Sequence, residues 1–250
     1  MIKIVLQPFL WLVPMLVFFS APVQAQTGEL VPYQEGLHYF EIEGAPVQND
    51  GSMMLEELFS YLCTHCNTFE PYINNWKNRN AGKVDFRRIP VVFGRAAWEM
   101  YARGYVTANM MGIGDEAHSA LMDKLWKEKA IMRSMDELAE FYSGFGVTPE
   151  AFLGTSKSFA VDAKMRKDQR LAQNYGIRGT PALVLNGRYR IVGNAAVPNF
   201  DAMLDVVDFL VERDSANRLE AAALDTETEV IEAEVPADAQ PGSPEGAEGR

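Results

Sequence analysis

Cysteine and histidine are scarce in this chain, whose 250 residues include two cysteines and three histidines. A zinc site takes about four ligands, and the histidines are scattered with no ligand spacing around Cys63 and Cys66, which disfavours zinc. Covalent attachment of c-type haem needs a histidine directly after the second cysteine, where Asn67 stands. We therefore expect neither a metal nor another cofactor.

Positive charge is also in short supply, with 23 Lys and Arg against 34 Asp and Glu and a net charge of −11. Residues 215–250 carry −7 of this, because they hold nine acidic residues, two arginines and no aromatic residue. Such a composition predicts an acidic tail that is disordered after a short Ala-rich helical extension. Once Lys3 is set aside, residues 26–214 carry −5. A mildly acidic domain predicts no nucleic acid or anionic membrane as a partner.

A long apolar run stands near the N-terminus, where one basic residue, Lys3, precedes Ile4–Phe19. Small residues at Val23 and Ala25 complete the layout of a secretory signal peptide. We predict that residues 1–25 are this signal, that it is cleaved before Gln26, and that the protein is exported. The alternative is an uncleaved membrane anchor. Pro8 and Pro14 interrupt the run, and the run is short for a bilayer, which takes about 20 apolar residues, so this alternative is disfavoured.

The spacing of apolar residues predicts the order β–α–β, a block of helices, and β–β–α. The predicted strands are His38–Ile42, Met53–Leu62, Lys83–Val92, Ala182–Leu185 and Tyr189–Val192. The predicted helices are Asn67–Asn78, Ala96–Met111, Glu116–Lys129, Ser134–Ser143, one opened by Thr148 and Pro149, Ser156–Tyr175 and Asn199–Arg213. We predict one α/β domain with a mixed sheet, in two parts at residues 26–95 and 176–214, interrupted by a helical insertion at residues 96–175.

Cys63 and Cys66 lie three residues apart, at the predicted junction between a buried strand and a helix. A structural disulfide stabilises most when it closes a long loop; this loop is very short, although a structural bridge remains an alternative. At a helix N-terminus, free backbone N–H groups and the helix dipole favour a thiolate. A C-x-x-C beside β–α–β is also typical of thioredoxin-like redox centres. We therefore predict that Cys63 is the reactive thiol and Cys66 the resolving one.

Two segments make the sequence similar to the DsbA family of periplasmic disulfide oxidases. They are Phe59–Glu70, which reads FSYLCTHCNTFE, and Gly176–Gly187, which reads GIRGTPALVLNG. With the helical block between them, the resemblance spans about residues 35–213. It implies a thioredoxin-like fold, in which a mixed central sheet is flanked by helices and carries an inserted all-helical domain.

The resemblance also implies roles at the site. They fall on Cys63 as attacking thiol, His65 before the resolving cysteine, Pro181 as a cis-proline facing the pair, and Glu57 and Glu70 as nearby buried acids. Two positions depart from the family pattern. Thr64 stands where Pro is usual, and Thr180 stands where Val is common. Several disulfide isomerases of the same superfamily have Thr at the latter position. Thr180 is therefore a further candidate site residue, and the departures leave the strength of oxidation open.

Each supporting residue also has a simpler interpretation. His65 could be a passive surface histidine, whereas if protonated or hydrogen-bonded it would stabilise the Cys63 thiolate. Pro181 could be an ordinary proline at a strand entry, and Glu70 a solvated helix residue. Glu57 lies in a strand predicted to be buried, so it needs a partner or a raised pKa.

The activity that the resemblance implies is donation of a disulfide to reduced, unfolded exported proteins in the periplasm. It also implies reoxidation by a quinone-linked membrane protein of the DsbB type, and we expect a monomer. Two alternatives stay open. One is a disulfide isomerase or reductant on the same fold, which Thr180 favours. The other is a non-catalytic, chaperone-like binding module with a structural disulfide.

Overall fold

The computed structural model describes residues 32–44 and 52–234, with side chains described as far as residue 220. The predicted signal peptide and residues 235–250 lie outside this part. The strands are β1 (Phe40–Glu41), β2 (Met54–Phe59), β3 (Asp85–Pro90), β4 (Ala182–Leu185) and β5 (Tyr189–Val192). The helices are α1 (Thr64–Arg79), α2 (Ala96–Met110), α3 (Gly114–Trp126), α4 (Met135–Ser143), α5 (Pro149–Ser156), α6 (Phe159–Asn174) and α7 (Phe200–Glu234).

The five strands form one mixed sheet in the order β1-β5-β4-β2-β3. β2 pairs parallel to β3 and antiparallel to β4, and β5 pairs antiparallel to both β4 and β1. The β4–β5 hairpin turns at Asn186 and Gly187, which both have positive φ, as the asparagine–glycine signal predicts. The predicted mixed sheet flanked by helices is confirmed.

Apolar side chains cover both faces of the sheet, because alternate residues of a strand point to opposite sides. Leu183 of β4 packs in a core with residues of α1 and α7. Its neighbours Ala182 and Val184 pack in a second core with Ile177, just beyond α6. The sheet therefore lies between helices on both sides.

The five helices α2–α6 lie between β3 and β4 in the chain. Phe59, Tyr61 and the two cysteines belong to the same apolar core as the buried residues of α2–α5. The inserted helices therefore form one wall of the cysteine site.

Several boundaries differ from the predicted ones. β2 ends at Phe59 rather than Leu62, because the apolar residues that follow pack as a loop against the inserted helices. α1 begins at Thr64 rather than Asn67, so the whole C-x-x-C segment belongs to the start of this helix. The predicted strand over Lys83–Val92 is shorter, at Asp85–Pro90.

The largest difference lies at α7, which we predicted to end near Arg213. The helix continues to Glu234, so the helical extension that we predicted to be short and Ala-rich runs on through acidic residues, and disorder of the tail beyond it stays a prediction. Its first extra turn is attached to the domain, since the Arg218 guanidinium donates a hydrogen bond of 3.0 Å to the Ser52 carbonyl oxygen. Among the described residues, no helix is both long and apolar enough to cross a bilayer.

Candidate active site

Cys63 stands where the chain passes from β2 into α1. It is the N-cap of α1, with extended backbone angles of φ −94° and ψ 117°, and its carbonyl oxygen accepts the first helical hydrogen bond from Asn67 at 3.1 Å. No side chain caps this helix end, so its first N–H groups are free to face the cysteine sulfur. The side chain is 9 % exposed, whereas that of Cys66, one turn later, is fully buried.

The two thiols differ in acidity. A hydrogen bond from Cys66 is the largest of the effects that lower the pKa of Cys63 to about 5, against the opposing effect of burial. The Thr180 side chain and the backbone N–H groups of His65 and Cys66 also stabilise this thiolate. Burial raises the pKa of Cys66. Near neutral pH the reduced site therefore holds an ionised Cys63 and a protonated Cys66.

The loop before β4 faces the cysteines. The Thr180–Pro181 peptide bond is cis, and the Sγ atom of Cys63 lies 3.4 Å from the Thr180 carbonyl oxygen. His65 is exposed and lines a groove of about 690 Å³ together with Thr180 and Pro181. A stabilising effect of the His65 imidazole on the thiolate stays a prediction, since it is the backbone of His65 that lowers the pKa of Cys63.

Both predicted acids are buried behind the cysteines, where they share one cation. Arg88 of β3 donates through Nε to Glu57 at 2.8 Å and through Nη2 to Glu70 at 3.3 Å. Burial raises the pKa of Glu57 to about 7, with the neighbouring Glu70 charge adding to the effect and Arg88 opposing it. Glu57 is also close enough for its charge to raise the pKa of Cys66.

Glu70 keeps its charge because it has more partners than Glu57. Burial alone would raise its pKa, but a hydrogen bond from His118, together with the charge of Arg88 and a hydrogen bond from Asn74, lowers it to about 2. His118 lies 3.2 Å from Glu70 through Nε2 and 3.0 Å from the Tyr61 hydroxyl through Nδ1. Burial and the charge of Arg88 lower the pKa of His118 to about 4. The neutral ring therefore donates a hydrogen bond from Nε2, because a carboxylate can only accept, and its Nδ1 accepts a hydrogen bond from the Tyr61 hydroxyl.

Arg88, His118 and Tyr61 are parts of this site that were not predicted from the sequence. Arg88 carried a signal, because a parallel β2–β3 pair with both strands ending at one edge places it near Glu57, which is its register partner. His118 lies in the inserted helices, and no local pattern connects it to the cysteines. Within residues 32–44 and 52–234, no group of three or more His, Cys, Asp or Glu side chains is arranged to hold a metal ion.

Comparison with known proteins agrees with this geometry. The family model of the DSBA-like thioredoxin domain matches residues 54–205. The chain is 36 % identical to the thiol:disulfide interchange protein DsbA of Pseudomonas aeruginosa over 74 % of its length and 87 % of that protein. It is 35 % identical to the DsbA of Azotobacter vinelandii, over 78 % of this chain and 91 % of that one.

Solved structures give the same result. The crystal structure of Pseudomonas aeruginosa DsbA superposes with a TM-score of 0.68 at 33 % identity, over 76 % of this chain and 98 % of that one. The structure of the oxidoreductase DsbA from Xylella fastidiosa gives a TM-score of 0.66 at 33 % identity, over 72 % and 96 % of the two chains. The chain therefore belongs to the DsbA family of the thioredoxin-like fold and is a thiol:disulfide oxidoreductase.

Proposed function

We propose that the protein works as an oxidase, donating its Cys63–Cys66 disulfide to reduced proteins that have been exported to the periplasm. The observation that carries this proposal is the difference in acidity between the two thiols. A Cys63 thiolate stabilised by Cys66, Thr180 and the helix N-terminus lowers the free energy of the reduced protein. Stabilising the reduced form makes the disulfide a stronger oxidant.

The reaction has two exchanges. A substrate thiolate attacks the Cys63 sulfur, the Cys63–Cys66 bond breaks, and Cys66 leaves and takes up a proton. A second substrate thiolate then attacks the substrate sulfur of the mixed disulfide, and Cys63 leaves as a thiolate. The substrate loses two electrons and the protein gains them.

Glu57 fits the role of proton donor in the first exchange. The high pKa of Cys66 means that this sulfur leaves as a poor, strongly basic anion. A buried carboxyl with a pKa of about 7 is protonated in a large fraction of molecules at neutral pH and can supply that proton.

The reduction potential tests the direction of exchange. Reduction potentials in this superfamily run from about −270 mV for thioredoxin to about −120 mV for DsbA. The measured potential is compared with these two values. After equilibration with glutathione buffers, trapping of free thiols and mass spectrometry, we expect a value closer to −120 mV. A value near −270 mV would show that the protein is a reductant or isomerase instead. The Cys66→Ser variant cannot form the internal disulfide. It is therefore the control that shows how much Cys63 is trapped as a mixed disulfide with glutathione.

Reoxidation by a quinone-linked membrane protein of the DsbB type completes the proposed cycle. Membranes that contain a DsbB-type protein should reduce added quinone when supplied with the reduced protein, and should not when supplied with Cys63→Ser. Quinone reduction that does not depend on Cys63 would exclude this partner.

For export, we expect N-terminal sequencing of the mature protein to begin at Gln26, whereas a first residue of Met1 would indicate an uncleaved anchor.

A further inference from the structure

The groove beside the cysteines has a charge unlike that of the rest of the protein. The chain has a net charge of −11, yet the described residues that line the groove include Arg178 and Arg190 and no Asp or Glu. Apolar side chains such as Phe200 and Met203 supply much of the remaining wall. An apolar groove with two cations is suited to an extended peptide that brings a negative charge.

The two arginines keep their charge available to a ligand. Within the described part of the chain, neither forms an ion pair with a carboxylate. Arg190 is held in place by neutral partners, since its Nη1 donates to the carbonyl oxygens of Tyr175 at 2.8 Å and Gly176 at 3.1 Å. A side chain at Gly176 would collide with this guanidinium. Arg178 is exposed.

Arg178 is also close to the reacting sulfur. It precedes Thr180, whose carbonyl oxygen lies 3.4 Å from the Cys63 sulfur, by two residues. Two residues of chain span at most about 7 Å, and the chain bends at Gly179 and Thr180, so the backbone of Arg178 lies within about 7 Å of Thr180. When the cysteine of an extended substrate is at Cys63, its residues about two positions away from that cysteine are within reach of the long Arg178 side chain.

We propose that this groove selects exported substrates in which an Asp or Glu lies about two residues from the cysteine that attacks Cys63, with Arg178 and Arg190 as the specificity-determining residues. The inference rests on the proposed oxidase function and adds the class of substrate sequence. Each exposed charge pair changes affinity by up to about fivefold, so two arginines can produce a clear preference.

The test uses three dithiol peptides that differ only at the residues two before and two after the first cysteine, which are Glu, Gln or Lys. Excess oxidised protein is mixed with each peptide, and peptide oxidation in a single turnover is followed by acid quenching and mass spectrometry. Neighbouring charges also alter the pKa of the peptide thiol. Each rate is therefore divided by the rate of the same peptide with a neutral small disulfide, bis(2-hydroxyethyl) disulfide.

We expect the corrected rate of the Glu peptide to exceed that of the Lys peptide by about fivefold or more at low salt, and the ratio to approach one at high salt because exposed charges are screened. Arg178→Gln should remove most of the preference, and Arg178→Glu should reverse it. Arg133→Gln is the matched control, since it removes one exposed cation on the insertion, far along the chain from the groove loop, and should leave the ratio unchanged.

The possible failures are distinct. If the wild-type protein oxidises all three peptides at equal corrected rates, the selectivity is wrong and the oxidase function stands. If it oxidises none of them, the oxidase function and the selectivity are both wrong. An Arg178→Glu variant that still prefers the Glu peptide would also overturn the role of Arg178, and it cannot be ascribed to misfolding because the variant still reacts.

Discussion

The hydroxyl of Thr180 is a polar group on the loop that faces Cys63, at a position where the family often has an apolar side chain. Because the Thr180 side chain stabilises the Cys63 thiolate, replacing it with Val should raise the pKa of Cys63 by about one unit, the effect of losing one hydrogen bond to a charged group. Thiolate absorbance at 240 nm against pH measures this. Thr180→Ser keeps the hydroxyl and should keep the pKa; equal shifts in both variants would assign the effect to packing.

Glu57 and Glu56 are adjacent buried carboxylates on opposite faces of β2, which provides a matched pair of variants. Glu57 lies on the side of the cysteines, whereas Glu56 accepts hydrogen bonds from Arg87 and, at 2.6 Å, from the Tyr175 hydroxyl. We expect Glu57→Gln to slow formation of the mixed disulfide and to remove the pH dependence near 7 that the carboxyl produces. Rapid mixing with a thiol peptide between pH 5 and pH 9 measures this, and Glu56→Gln should retain the wild-type pH profile.

At the scale of elements, the parallel pairing of β2 with β3 matters most, because it sets Arg88 opposite Glu57. Arg88 is also the cation shared with Glu70. Arg88→Met leaves two buried carboxylates without a cation and should lower the free energy of unfolding by about 3–5 kcal/mol. Urea unfolding at pH 7 measures the loss, and Arg88→Lys, which restores the charge with fewer donors, should lose less. A loss below about 1 kcal/mol would show that the network contributes little to stability.

The extension of α7 makes a second prediction for an element. A chain that ends at Glu220 keeps the Arg218 bond to Ser52 and should unfold at the same temperature as the full chain. A chain that ends at Asp214 loses that bond and should be less stable by about 1 kcal/mol. If both chains match the full protein in thermal unfolding, the extension does not stabilise the domain.

Elements with strong local signals were predictable, and those decided by distant contacts were not. The β4–β5 hairpin matches its predicted limits residue for residue, because Asn186 and Gly187 adopt the positive φ angles that this turn requires. The end of β2 was missed, and the helical extension of α7 is longer than predicted. Leu62 is apolar enough to continue a strand but packs against inserted helices from elsewhere in the chain. The extension of α7 passes beyond its Ala-rich part into acidic residues, as far as Glu234.

The site shows the same division. The spacing of Cys63 and Cys66 and their position at a helix start could be read from the sequence, because both are local. The shared cation and the neutral ring of His118, which lies 48 residues from Glu70, depend on how the sheet and the insertion come together. The chemistry was therefore predictable and its tuning was not.

For the whole molecule, redox state and stability are linked through Cys63. Its pKa falls from about 8.5 in the unfolded chain to about 5 in the fold. This stabilises the reduced fold fully above pH 8.5, and the contribution is lost as the pH falls through 5. Between pH 5 and pH 8 the stability of the reduced form should therefore rise relative to the oxidised form by about 3 kcal/mol. The disulfide closes a very short loop, worth only about 2 kcal/mol.

We thus expect the oxidised protein to be the more stable at pH 5 and the reduced protein at pH 8, measured by urea unfolding of both forms at each pH. An oxidised form that is the more stable at both values, with no change in the difference, would mean that Cys63 is not held as a thiolate. The Thr180→Val variant should show a smaller change between the two pH values, because one source of thiolate stabilisation is gone.

The cysteines and the loop that faces them come from opposite sides of the insertion, with Cys63 and Thr180 117 residues apart in the chain. A contact of such long sequence separation is costly in chain entropy until the insertion between its two ends has folded. In a chain that enters the periplasm from its N-terminus, the C-x-x-C segment emerges long before Thr180 does. Until then its thiols lack one of the groups that set their acidity. On the proposed export route, the C-x-x-C pair of each new molecule therefore crosses the membrane before the loop that lowers the pKa of Cys63, and we expect the chain to become an oxidant only after that loop has crossed as well.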